Sequence, residues 1–178
     1  MVPKITDFGL SLQGALSTSK PKRIQVDQVV GTFGYLAPEH HLHAVVTDKT
    51  DVYSFGMVLI HVVTNADRVH LLMEDQEDPI TTTLEERIDP ILKGKIAPQS
   101  WQVITNVIQS CLEYEADERP TMGEVEVLLE HALALHKQAD ITNINNAAHY
   151  TLLSTTHLSD LFRLSRFMNN GDQIYSDL

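Results

Sequence analysis

The sequence predicts a mainly α-helical fold, and three observations point to it. An apolar run, Val52 to Val63, opens behind Asp51 and is hydrophobic on nearly every side, as in a helix buried inside a domain. Trp101, Ile104, Val107, Ile108, Cys111 and Leu112 recur at helical spacing. Thr121 and Glu124 form a capping box just after Pro120, and a stripe from Val125 through Leu128, Leu129, Ala132 and Leu133 to His136 follows it, to about Ala139.

The elements follow in chain order. Val2 to Thr6 reads as a short strand leading into Asp7-Phe8-Gly9. Residues 10–30 read as a loop, with Ser17, Thr18, Ser19, Lys20, Pro21, Lys22 and Arg23 at its centre. Gly31, Gly34 and Pro38 punctuate a turn-rich segment. Asp51 suits the N-cap of the apolar helix, since its carboxylate can accept backbone N–H bonds there. Residues 65–83 are polar and acidic and read as loop, and Leu84 to Leu92 as a short helix stopped near Pro90. From Asp140 the composition turns to Asn, Ser and Thr, which suggests a flexible tail over 140–178, with a weak amphipathic stretch at Leu158, Leu161, Phe162 and Met168. The preceding part, 1–139, reads as one domain.

Composition narrows the function classes. At 43% hydrophobic and 21% charged the chain is globular in character. Its net charge of -11 argues against nucleic-acid binding, which needs basic patches facing phosphates. A single cysteine, Cys111, excludes an internal disulfide and a Cys-rich metal site, and fits a reducing, cytoplasmic setting. It lies in an apolar stripe, so it reads as a core thiol. The N-terminus lacks a secretory signal pattern. Val52 to Val63 is shorter than the roughly 20 residues that span a bilayer, so no transmembrane segment is expected in this chain. His40, His41 and His43 cluster but do not make a convincing metal site.

Three motifs carry chemistry. Asp7-Phe8-Gly9 ends a strand, where an Asp can hold Mg2+ against nucleotide phosphates and Gly9 lets the chain turn. Ala37-Pro38-Glu39 comes 28 residues beyond Gly9, after Gly31-Thr32-Phe33-Gly34-Tyr35-Leu36. Asp51-Val52-Tyr53-Ser54-Phe55-Gly56 opens the buried helix. Each is weak alone; in this order and spacing they are specific.

Together they resemble the protein kinase domain of plant receptor-like kinases. Ile88-Asp89-Pro90-Ile91-Leu92-Lys93-Gly94-Lys95-Ile96 and Glu118-Arg119-Pro120-Thr121-Met122 resemble the malectin-like receptor-kinase branch. The resemblance covers roughly residues 2–139. It implies the helical C-terminal lobe of the protein-kinase fold, and the family's cofactors, ATP and Mg2+. Under it, Asp7 would bind the Mg2+ that bridges the ATP phosphates, and Phe8 would pack beneath. Residues 10–30 would be the activation loop. Ser17, Thr18 and Ser19 would be its candidate phosphosites, although plain loop polarity explains them equally. Thr32 would lie in the loop that receives a protein substrate's hydroxyl, in a segment closer to the Ser/Thr type than the Tyr type. Glu39 and Arg119 would form a buried ion pair, and Asp51 would anchor the catalytic loop. Two solvated surface charges, and a plain helix cap, are the simpler alternatives for these last residues.

Other parts of the family's machinery are not found in these residues. None of the eight glycines is separated from another by a single residue, and no His-Arg-Asp occurs. Only six residues precede the Asp-Phe-Gly triplet. The expectation is therefore a truncated kinase domain, with the N-lobe and catalytic loop absent, that does not transfer phosphate alone. Its partners would be a protein substrate or partner kinase, at the cytoplasmic face of the plasma membrane if it belongs to a longer receptor. A non-catalytic interaction module and a non-functional gene fragment are the competing expectations.

Overall fold

A computed structural model of the chain describes residues 4, 6, 8–12, 23–64 and 80–145, with backbone alone for 80–83 and 143–145. Five helices dominate it: α1 (Pro38–His43), α2 (Asp48–Thr64), α3 (Ile80–Arg87), α4 (Pro98–Cys111) and α5 (Met122–Asn145). Two strands of two residues, β1 (Ile24–Gln25) and β2 (Val45–Val46), pair antiparallel, Ile24 opposite Val46 and Gln25 opposite Val45.

The core forms around α2. Met57, Leu59 and Ile60 are fully buried, with Val52, Phe55 and Val63 close to it. Burying each such side chain contributes about 1.5–3 kcal/mol. α4 delivers Ile104, Val107, Ile108 and Cys111, and α5 adds Val125, Leu129 and Ala132. α2 and α4 meet where Gly56 leaves room: a β-carbon there would lie 2.8 Å from Cys111 Cβ. Burial pushes the Cys111 thiol up to about 12, so it stays protonated and inert at neutral pH.

α4 and α5 are also joined by polar contacts. Ser100 Oγ donates to the Ala132 carbonyl at 2.8 Å. The Ala97 N–H, at the mouth of α4, donates to Nδ1 of the buried His136 at 3.3 Å. Satisfying these groups from α5 lets the start of α4 sit buried.

Three boundaries depart from the sequence-based expectations. Asp51 is not the N-cap of α2, which begins at Asp48. Thr47 takes that role: its Oγ1 accepts the Lys49 N–H at 3.1 Å, while Thr50 Oγ1 accepts the Thr47 N–H at 2.9 Å. Asp51 is one turn inside, exposed, where an acidic side chain still favours the helix N-terminus. The short helix runs Ile80–Arg87, earlier than Leu84 to Leu92, and Pro90 sits in the turn beyond it. α5 continues to Asn145, six residues past Ala139, because Asp140, Ile141 and Thr142 tolerate helix and no Gly or Pro interrupts. The capping box is as read: Thr121 N–H and Oγ1 donate to Glu124 Oε2 at 2.7 and 2.9 Å, and the Glu124 N–H returns to Thr121 Oγ1 at 3.2 Å. The backbone bond from Thr121 holds the Glu124 carboxyl below its ordinary value.

Of the expected strand Val2 to Thr6, Lys4 and Thr6 carry no regular structure and the rest lies outside the described residues. The amphipathic stretch at Leu158 to Met168 also lies outside them.

Candidate functional site

The site grows from Arg119. A short 3-10 turn, Ala116–Glu118, ends there, and Pro120 confines Arg119 to extended backbone, φ -72 and ψ 147. That conformation turns the side chain into the protein, where only 2% of the residue is exposed.

A buried guanidinium needs partners for five N–H groups, and each has one. Nε donates to the Glu113 carbonyl at 2.7 Å. Nη1 donates to Glu39 Oε1 at 2.8 Å and to the Lys49 carbonyl at 3.0 Å. Nη2 donates to Glu39 Oε2 at 2.8 Å and to the Tyr114 carbonyl at 3.0 Å. The Glu39 contact is therefore bidentate, the strong and directional form of this pair. The guanidinium carbon also lies 5.0 Å from the centroid of the Tyr53 ring, within cation–π range.

Glu39 is brought in by α1. Pro38 occupies the first turn, and the helix closes at Ala44, in the left-handed region with φ 53. Gln25 Nε2 donates to the His43 and Ala44 carbonyls at 3.0 and 3.2 Å, so β1 covers that end. Glu39 Oε1 also accepts the Thr50 hydroxyl at 2.9 Å. Burial alone would raise the Glu39 carboxyl, but the Arg119 hydrogen bonds, its backbone bond, Thr50 and the Arg119 charge outweigh that and hold it below the ordinary value. Lys49 Nζ caps the Arg119 carbonyl at 2.5 Å, which ties α2 to the same point.

The segment before Glu39 is fixed from below and open above. Ala37 is fully buried, and Ser54 Oγ donates to the Tyr35 carbonyl at 2.8 Å. The Tyr35 N–H closes a turn on the Thr32 carbonyl at 3.1 Å. Gly31 and Gly34, at φ 149 and 92, allow that turn. Thr32 is exposed, and Phe33 is 73% exposed with its ring edge-on to His41 at 5.8 Å. The arrangement is a rigid platform carrying an outward loop with a hydroxyl and an aromatic ring.

The structure thus brings Glu39, Arg119 and the Thr32 loop to one region and leaves other candidates elsewhere. Phe8 and Gly9 sit in the 3-10 turn Phe8–Leu10, and Phe8 is 57% exposed instead of packed, for no described element covers it. Asp51 lies in the first turn of α2 and is exposed. Asp7, Ser17, Thr18 and Ser19 lie outside the described residues. Among the described residues no group of three or more His, Cys, Asp or Glu could hold a metal ion. Sequence reasoning missed Lys49, Thr50 and Tyr53 as members of the network. The Thr47-Asp48-Lys49-Thr50 pattern, a Thr at each end of a first turn, was the available signal.

Comparison with known proteins adds a separate line. The protein kinase domain family matches residues 1–133. Receptor-like protein kinase ANXUR2 of Arabidopsis thaliana is 38% identical over 149 residues, 78% of this chain and 17% of that protein. Two further Arabidopsis thaliana proteins are similar. Probable serine/threonine-protein kinase PBL21 is 31% identical over 155 residues, 81% of this chain and 40% of that protein. PTI1-like tyrosine-protein kinase 2 is 34% identical over 139 residues, 73% of this chain and 37% of that protein. This chain spans only a minor part of each. Among the described residues no helix is long and apolar enough to cross a membrane.

Proposed function

The chain belongs to the protein kinase family and is similar to plant receptor-like kinases, and from that premise we propose that it forms the substrate-facing side of the helical lobe of a receptor-like Ser/Thr kinase of the malectin-like branch. The observation that carries this is the platform: Arg119 and Glu39 lock the Ala-Pro-Glu segment onto α2 while Thr32 and Phe33 stay exposed. A loop held this rigidly can align a protein Ser or Thr hydroxyl for transfer, because positioning is most of what phosphoryl transfer asks of the protein.

In this reading Asp7 would hold the Mg2+ that offsets charge on the ATP phosphates, and Ser17, Thr18 and Ser19 would be where the activation loop is phosphorylated. The reaction is ATP-dependent phosphorylation of a protein, at the cytoplasmic face of the plasma membrane. Transfer also needs a phosphate-covering Gly-rich loop, a phosphate-binding lysine and a catalytic Asp from His-Arg-Asp. These 178 residues contain neither a G-x-G nor a His-Arg-Asp. The stretch alone therefore does not transfer phosphate.

Two measurements test the proposal. Calorimetry of the 178-residue chain with MgATP should show no measurable binding; micromolar binding would sink the claim of incompleteness. Sequencing the transcript upstream of the Met1 codon should reveal an in-frame His-Arg-Asp-x-x-x-x-Asn. A stop codon there, with a soluble folded product, would instead support a non-catalytic lobe that binds a partner kinase. One observation favours that second reading: the described helices close a core of their own around α2.

A further inference from the structure

Away from the platform, a cleft of about 240 Å³ opens between α3, the turn after it and α4. Ile88, Leu92, Ile96 and Trp101 line it, with Glu85 and Lys93 among its walls. Leu92 is buried, while Ile88, Ile96 and Trp101 are each partly open to solvent. An indole and two isoleucines left half-uncovered around a concavity make a receptor for one or two large apolar side chains. Glu85 and Lys93 are exposed, and among the described residues neither has an ionic partner.

α5 passes beside the α4 side of this cleft. His136 and Ala132 touch Ala97 and Ser100, the residues just before Trp101. α5 then runs nine residues past His136 to Asn145, about 14 Å at 1.5 Å per residue. Beyond lies His157-Leu158-Ser159-Asp160-Leu161-Phe162-Arg163-Leu164-Ser165-Arg166-Phe167-Met168, the one strongly apolar stretch after α5, and it carries two arginines. Residues 146–156 between them could span up to about 36–40 Å when extended, more than the length of α5 back to His136.

We propose that residues 157–168 of this same chain seat on the Ile88–Leu92–Ile96–Trp101 cleft, with Leu161 and Phe162 as the apolar anchors. Three features support this occupant. The tether delivers the segment beside the cleft at a high effective concentration, about millimolar for a short link. Its Leu and Phe side chains match an apolar, aromatic lining. Its Arg163 and Arg166 complement the exposed Glu85 and the neighbouring exposed Glu86 of α3. A cleft closed this way would shield the α3–α4 junction and shorten the reach of the chain beyond α5.

The chain carries one tryptophan, Trp101, so its own fluorescence reads the cleft directly. The experiment compares the full 178-residue chain with its L161S/F162S variant at several protein concentrations. The substitutions are expected to move Trp101 emission to longer wavelength and to raise its quenching by acrylamide, with the far-ultraviolet helical signal nearly unchanged. A synthetic peptide of residues 157–168, added to the variant up to about 1 mM, the effective concentration of the tether, should restore the native emission. R163E/R166E should give a smaller shift in the same direction, reduced at high salt. Identical emission and quenching in native and L161S/F162S chains would overturn the proposal. So would a native emission that depends on protein concentration, which would assign the occupant to a second copy.

Discussion

Two arginine–carboxylate pairs among the described residues teach different lessons. Arg119 meets Glu39 through two 2.8 Å contacts, with its side chain fully buried and Glu39 16% exposed. Arg23 meets Asp117 through one 3.4 Å contact, with side chains 68% and 63% exposed. The charges are the same; the surroundings are not. Water screens and competes with the exposed pair. The buried guanidinium has three carbonyls, the Thr50 hydroxyl on its carboxylate and an aromatic ring in place of water. Such a pair does not make the fold stable in a simple sense, since its desolvation offsets much of its attraction. It makes the fold intolerant of losing one half.

The largest break in that comparison is Arg119→Ala. It strands the Glu39 carboxylate and the Glu113, Tyr114 and Lys49 carbonyls, and a loss of about 3–5 kcal/mol is expected in urea denaturation. The same pair sets the acid behaviour. The Glu39 carboxyl is held below its ordinary value of 4.5 when folded, so its contribution is complete above that value and is lost as pH falls through the lower folded one. Stability of the native chain should therefore fall more steeply below pH 4.5 than that of Glu39→Gln; parallel pH curves would contradict this.

Gly56→Ala ranks next. Its new β-carbon would meet Cys111 Cβ at 2.8 Å and Leu112 at 3.1 Å, and overpacking of this kind costs about 1–3 kcal/mol. Combining it with Cys111→Gly should recover part of the loss, in a double-mutant cycle. Thr121→Ala removes the two hydroxyl contacts of the α5 capping box, leaves the backbone N–H bond to Glu124, and should cost about 1 kcal/mol, visible as a lower urea midpoint. Arg23→Ala is the smallest: about 0–1 kcal/mol, and insensitive to whether Asp117 is also changed once salt is high. An Arg23 effect as large as that of Arg119 would erase the contrast.

How much of this could be read from the residues divides along physical lines. α4 and α5 were legible because long helices with one apolar stripe repeat their signal many times, and Thr121 with Glu124 marks its start by side-chain chemistry alone. The start of α2 was misplaced at Asp51 because an acidic residue ahead of an apolar run looks like a cap, while Thr47 and Thr50 do the capping through hydroxyls that bond each other's turn. β1 and β2, two residues each, are too short for any period to show. In the site, Arg119 and Glu39 stood out only as members of spaced motifs. Their other partners could not be anticipated, because the Glu113, Tyr114 and Lys49 carbonyls are backbone groups whose convergence depends on the fold and on no side-chain identity.

The one thiol has a use of its own. Cys111 faces Gly56 across the contact between α2 and α4, fully enclosed and protonated at neutral pH. An alkylating reagent can reach it only in molecules whose two central helices have come apart. Its rate of labelling under native conditions therefore serves as a clock for the opening of the protein's centre, read by mass with no added probe.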